Sequence, residues 1–365
     1  MGWLRRAWIP TDPTLLKASE TRILEGIQTP YDSKLVEISN DNFIHTVVFG
    51  DNNSPSSQQR TPLVLIHGFA AGLGFWALNI DILAQQQKVY AIDLLGFGRS
   101  SRPTFPEDSM DVEEMYVASL EEWRRGVGLD RMILCGHSFG AYLVHAYTLK
   151  HPQPVEHLIL ADPWGFPEKP SDGELEVNFR IGRVRRAVYS VLSSYNPMSV
   201  LRLVGRYGPR LVQRMRPDIK EKYEKVYGEG DTRIMEYIYH CNAQKPSGET
   251  AFMNLIDGTL PVFAKRPIIT QMHNLDPSIP IRIIVGEDSW MMKFTDYSSV
   301  QLEFFDRNIR VQMIMEAGHH IYLDQKDEFN EILCEVCDEC EIRRNDESLQ
   351  AKDVIIGESN PGVLG

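Results

Sequence analysis

LCGHSFGAYLVHAY, residues 134–147, decides how this chain is read. An apolar run, RMILC, leads into Gly136-His137-Ser138-Phe139-Gly140, and a helical pattern follows at once. Strand, G-x-S-x-G and helix in that order are the context of a nucleophile elbow, a sharp turn that lifts a serine hydroxyl above the end of a strand. Gly136 and Gly140 fit it, because side chains there would collide with the neighbouring strand and helix. The alternative is a serine that merely occupies a tight turn. The strand before it and the helix after it favour a working nucleophile.

Outward from this turn, similar apolar runs recur: PLVLIHG (62–68), KVYAIDLLGFG (88–98), HLILADPWG (157–165) and IRIIVGED (281–288). None alternates, and helical stretches separate them. That is the pattern of parallel strands covered on both faces, so the fold class is α/β with a mostly parallel, doubly wound sheet. SNDNFIHTVVFGD, earlier in the chain, predicts a hairpin. Between about 166 and 275 the strand pattern stops and helical, Pro-broken segments take over, as in VNFRIGRVRRAVYSVLSS. The expected organisation is an arm (1–30), a core in two parts (31–165 and 276–341), an inserted helical cap (166–275) and a disordered tail (342–365).

A serine hydroxyl needs a general base, and the base needs an orienting acid. In this fold they follow in the order serine, acid, histidine. His319, in EAGHHIYLDQ after the apolar VQMIM, stands where the base belongs. For the acid, the segment after IRIIVG offers Asp288, whose short side chain suits a tight turn; Glu287 and Asp296 stay open. The backbone amides of Phe139, next to the nucleophile, and of Phe69, in IHGFAAGLGFW, are the expected oxyanion donors. His319 and Asp324 also form H-x-x-x-x-D, the spacing of glycerolipid acyltransferases; otherwise Asp324 caps the last helix. GFGRSS (96–101) lacks the third glycine of a dinucleotide fingerprint and is taken as a structural turn.

Net charge is −12, which excludes a general nucleic-acid binder. Residues 176–225 nevertheless carry twelve Lys or Arg against four Asp or Glu, a basic segment suited to an anionic contact or to a solvated helix face. The five cysteines suggest a reducing compartment. Cys334, Cys337 and Cys340 form C-x-x-C-x-x-C without a nearby fourth ligand, so a cysteine-lined helix face is preferred to a metal site. No apolar run reaches the ~18 residues of a spanning helix. At the N-terminus, Trp3 and Trp8 with Leu4 and Ile9 surround Arg5 and Arg6, a mixture that favours a membrane–water interface or a docking arm.

DPWGFPEKP (162–170), LVQRMRPDIKEKY (211–223), EYIYHCNAQKPSGETAF (236–252), AGHHIYLDQ (317–325) and GWLRRAWIPT (2–11) together resemble the α/β-hydrolase domain proteins of the fourth and fifth kind. The resemblance spans roughly residues 1 to 340. It implies a lipid enzyme: a lipase acting on N-acyl phosphatidylethanolamines and lysophospholipids, a lysophosphatidic acid acyltransferase, or a lipid-droplet coactivator of a triglyceride lipase. The coactivators carry asparagine in place of the elbow serine; Ser138 is present here. One departure stands out: the family often has an aspartate just after the Trp of its G-x-x-x-W turn, and here Met291 and Met292 follow Trp290. The expectation is a peripheral serine lipase without metal or organic cofactor. It would act on phospholipid or lysophospholipid at a cytoplasmic droplet, endoplasmic reticulum or mitochondrial membrane. A triglyceride lipase or a droplet coat protein would be its protein partner.

Overall fold

A computed structural model describes residues 11–50, 60–170, 198–258 and 263–358, with side chains to residue 346. Trp3 and Trp8 lie outside these residues, as does all of VNFRIGRVRRAVYSVLSS. Eight strands form one sheet: β1 Tyr31–Ile38, β2 Asn42–Phe49, β3 Leu63–Ile66, β4 Val89–Ile92, β5 Met132–His137, β6 Val155–Ala161, β7 Ile281–Gly286 and β8 Ile309–Ile314. Their spatial order is β1-β2-β4-β3-β5-β6-β7-β8. β1 and β2 pair antiparallel, as do β2 and β4; every pair from β4 to β8 is parallel.

The hairpin turns on Asn40 and Asp41, both with φ near +60°, the left-handed region that short polar side chains tolerate in a tight turn. β3, β4, β5 and β7 are buried at every residue, which explains their unbroken apolar runs. Alternate residues still divide between two cores. Val64 and Ile66 face one side with α2 (Ser109–Val127) and α3 (Phe139–Lys150). Leu63 and Leu65 face the other with α1 (Pro13–Leu24) and the last helix. Asp108 caps α2 by accepting the amides of Met110 and Asp111, and Gly128 ends it at φ +73°. His145 in α3 and His157 in β6 are buried in the α2/α3 side and at the sheet's far end, each with ring nitrogen that finds no partner.

Between β6 and β7 the described residues form the helical cap: α4 Ser199–Val204, α5 Gly208–Met215, α6 Pro217–Tyr227, α7 Arg233–Asn242 and α8 Gly248–Leu255. α9, Tyr297–Glu303, follows β7, and α10 runs from Lys326 to Glu358. The tail expected to be disordered from 342 is therefore helical to Glu358. No proline interrupts residues 342 to 356, and the first glycine is Gly357. Cys337 and Cys340 are buried on α10, and Cys337 Sγ accepts from Gln87 Nε2 at 2.7 Å. Among the described residues no helix is long and apolar enough to cross a membrane.

Candidate active site

Three strand ends meet at the carboxyl edge of the sheet. Ser138, after β5, has φ 53° and ψ −116°, a conformation that costs free energy and persists because its surroundings fix it. Its amide donates to Ala161 O at 2.9 Å, and its carbonyl accepts the amides of Ala141, Tyr142 and Trp164. The flanking glycines are required by contact. A Cβ on Gly136 would lie 2.4 Å from Gly140 O, and one on Gly140 would lie 2.5 Å from His67 O.

His319 sits between β8 and a one-turn helix, Ile321–Asp324. Its Nε2 is 3.0 Å from Ser138 Oγ, and its Nδ1 is 2.5 Å from Asp162 Oδ2. A carboxylate only accepts, so Nδ1 carries the hydrogen and Nε2 is free to accept from the serine hydroxyl. His137 holds the loop from behind by donating from Nε2 to His319 O at 2.8 Å. Burial, and then the neighbouring His319, push the His137 pKa well below the usual imidazole range, so this ring stays neutral.

The acid is thus not where the sequence placed it. Asp162 follows β6 directly and is fully buried. Beyond His319, it accepts from Ser289 Oγ at 2.5 Å and weakly from the Gly286 amide at 3.4 Å. Asp288 is exposed, and its amide donates to Ala317 O. The chain leaving β7 turns Glu287 and Asp288 outward and Ser289 inward. Glu287 Oε2 accepts the Glu316 amide at 3.1 Å, and Asp296 caps α9 through the amides of Ser298 and Ser299. None of the three carboxylates considered from the sequence touches His319. Asp162 was visible in DPWGFPEKP as an aspartate ending a parallel strand, the edge where ligands meet such sheets.

Phe139 opens α3, so its amide belongs to the donors that a helix start leaves unpaired. The Phe69 amide likewise bonds to no described residue. Gly68, just before it, packs against the nucleophile: a Cβ there would come 3.0 Å from Ser138 Cβ. His67 braces this strand end, donating from Nδ1 to Gly68 O at 2.7 Å and accepting the Leu94 amide on Nε2 at 3.0 Å. Burial lowers its pKa, consistent with that neutral tautomer. The cap closes over the same loop. Asn242 donates to Ala70 O at 2.8 Å, and Phe252 stacks on Phe69 with centroids 4.3 Å apart. Phe97, Phe139 and Trp164 complete an aromatic wall around Phe252 and Phe69.

Asp324 does not cap α10, whose first turn starts from Gln325 O instead. Its carboxylate turns back to the Gly318 amide at 2.8 Å and to Lys222 of the cap at 3.3 Å. Elsewhere, Glu20, His45 and Asp93 bring candidate ligand atoms within 4.8 Å of one another. Arg99 already occupies Glu20 at 2.6 Å, and Asp93 accepts from His45 and from the amides of Leu73 and Arg99. This is an ion-pair network that ties α1 to the sheet, with its cation supplied by Arg99.

The family model described as the alpha/beta hydrolase fold matches residues 61–326. A rat protein named 1-acylglycerol-3-phosphate O-acyltransferase ABHD5 is 46% identical over 92% of this chain and 93% of its own length. A human (lyso)-N-acylphosphatidylethanolamine lipase is 44% identical over 92% of this chain and 96% of its own. Among solved structures, a bacterial membrane phospholipase A superposes with a TM-score of 0.61 at 19% identity, covering 90% of this chain and 92% of its own. The naproxen esterase of Bacillus subtilis superposes with a TM-score of 0.59 at 15% identity, covering 88% and 96%. At these identities the solved structures speak for the fold alone. The chain belongs to the α/β-hydrolase family, in the group that holds this acyltransferase and this N-acylphosphatidylethanolamine lipase.

Proposed function

We propose that the protein is a serine lipase that hydrolyses acyl esters of phospholipids or lysophospholipids, of the N-acyl phosphatidylethanolamine type. The observation that carries this is the unbroken line from Ser138 Oγ through the His319 ring to Asp162, at 3.0 and 2.5 Å. His319 Nε2 takes the hydroxyl proton as Ser138 Oγ attacks the acyl carbonyl. The amides of Phe69 and Phe139 hold the oxyanion. His319 returns the proton to the departing lipid oxygen, and Asp162 stabilises the imidazolium between the two transfers. Water, activated by the same histidine, then releases the fatty acid. Phe69, Phe139, Trp164 and Phe252 suit an acyl chain, and the relatives' names supply the phospholipid class.

A second reading is favoured by the acyltransferase relatives. The hydroxyl of lysophosphatidic acid takes the place of water, and the acyl group moves to the lipid instead of being hydrolysed. A purely non-catalytic coactivator role does not account for the assembled serine, histidine and aspartate. The work site is a cytoplasmic membrane or droplet surface. On the cap, Leu203, Tyr207 and Met215 are exposed beside Arg206, Arg210 and Arg214, apolar and cationic groups of the kind that enter an anionic interface. Together with Trp3 and Trp8 they make two weak anchors.

A fluorophosphonate probe and Ser138→Ala test the chemistry. Wild type labels at Ser138, and the variant loses about 10³-fold or more of ester hydrolysis while its melting curve is kept. Wild-type rates in the variant overturn the reading. Supplying lysophosphatidic acid with an acyl donor separates transfer from hydrolysis. For the anchor, a Trp3→Ala, Trp8→Ala double variant should float less with liposomes containing anionic lipid and still cleave a short-chain soluble ester.

A further inference from the structure

We propose that Asp324 is a positioning residue that ties the His319 loop to the cap, and that the H-x-x-x-x-D spacing reflects this tie and not a catalytic His–Asp dyad. It rests on the reading of His319 as the general base. His319 gives its Nδ1 hydrogen to Asp162, so that nitrogen has no place for a second carboxylate. Asp324 instead uses its two oxygens on two different parts of the protein. Oδ2 accepts the amide of Gly318, the residue just before His319, at 2.8 Å. Oδ1 pairs with Lys222 on α6 at 3.3 Å, and that pair is mostly sheltered, with the lysine side chain 28% and the aspartate 16% exposed.

A second cap residue grips the other side of the loop. Arg216, at the junction of α5 and α6, donates to Nδ1 of His320 at 3.3 Å while also pairing with Asp218. His319 is thus flanked by Gly318, bound through Asp324 to the cap, and by His320, bound to the cap directly. From behind, His137 donates to the carbonyl of His319 itself. Gly318 leaves room for the tie: a Cβ there would lie 3.1 Å from Asp324 Oδ2. The general base is therefore fixed on three sides, two of them controlled by the seating of α5 and α6. The surface of α5 is the one that carries the exposed Met215 and its arginines. Contact of the cap with lipid and placement of the base are mechanically joined through Lys222, Arg216 and Asp324. The tie serves either acyl acceptor, water or a lysolipid hydroxyl, because it acts on His319 alone.

Asparagine at 324 keeps an oxygen for the Gly318 amide; alanine does not. Asp324→Ala, Asp324→Asn and Lys222→Met are compared on a soluble short-chain ester and on phospholipid vesicles. Hydrogen exchange of the peptide spanning 315–321 is followed on the same samples. Asp324→Ala is expected to lower kcat by roughly tenfold or more, as loss of a hydrogen bond to a charged group does, with KM for the soluble ester little changed. Asp324→Asn recovers most of that loss. Lys222→Met gives a smaller loss of the same kind, larger on vesicles than on the soluble ester. Exchange of the 315–321 peptide speeds up in Asp324→Ala and less in the other two. The proposal is overturned if Asp324→Asn is as damaged as Asp324→Ala, or if either variant loses acyl transfer while keeping hydrolysis; both results belong to a dyad. It is also overturned if the 315–321 peptide exchanges at the wild-type rate in Asp324→Ala. Failure of the serine-lipase reading would show separately, as wild type that takes no fluorophosphonate at Ser138, and the exchange result would still decide the tie.

Discussion

The loops that leave β6 and β7 each carry an aspartate within a few residues of the strand end, and only one of them reaches His319. Asp162 comes straight off β6, is fully buried and lies 2.5 Å from Nδ1. Asp288 comes two residues past β7 and faces solvent. The β7 loop still serves the acid, but through a hydroxyl: Ser289 turns inward where a carboxylate was expected and donates to Asp162. A buried carboxylate must be supplied with hydrogen-bond donors in place of the water it has lost. Asp162 has two strong ones, and Asp288 needs none because water solvates it. Position along the chain is therefore a weaker guide to the acid than the donors arranged around it.

The contrast can be broken outright. Asp162→Asn should lower kcat/KM by about 10³- to 10⁴-fold, because an amide at Nδ1 favours the wrong tautomer. A loss within tenfold, with the larger loss falling on Asp288→Asn, would restore the β7 assignment. It can also be reversed. Adding Ser289→Asp to Asp162→Asn puts a carboxylate back on the β7 loop beside the same histidine, and hydrolysis should rise above that of the single variant. If the double variant is no better, the β7 loop cannot present an acid in this chain. Removing only the donor, by Ser289→Ala, should cost about ten- to a hundredfold in kcat, the range for a hydrogen bond to a charged group. The least effect belongs to Asp288→Asn, which should stay within about twofold in steady-state kinetics, as exposed substitutions usually do.

What the sequence made legible was whatever is written in local pattern. The runs at 62–68, 88–98, 131–140, 157–165 and 281–288 became β3 to β7, because strands buried on both faces leave no polar positions to blur the signal. Ser138 was legible because the elbow needs Gly136 and Gly140 at fixed offsets. The acid has no such signature. Whether an aspartate after a strand points inward depends on one or two backbone angles, here φ 43° at Asp162, and on partners far away in sequence. Ser289 and Lys222 were missed for the same reason: a serine in a turn and a lysine on a basic helix look like solvated residues until the chain is folded. The end of α10 was missed because its residues carry little periodicity, although no proline or glycine breaks them before Gly357.

His145 and His157 have a consequence for proton linkage. Burial, and then the charges of Arg266 in one case and Arg282 in the other, lower both pKa values to about 3. In the unfolded chain a histidine titrates near 6.5. Below that value the unfolded state takes up protons that the folded state refuses. The stability these two residues contribute is therefore complete above about pH 6.5 and is lost as pH falls toward 3. Each histidine costs about 1.4 kcal/mol per pH unit in that window, so at pH 5 the pair removes roughly 4 kcal/mol from a total that is typically 5–15. Melting temperatures should fall steeply between pH 6.5 and 5, and a His145→Gln, His157→Gln double variant should flatten that slope. Two histidines far from the serine thus make the whole fold a proton-linked one, most stable at and above neutral pH.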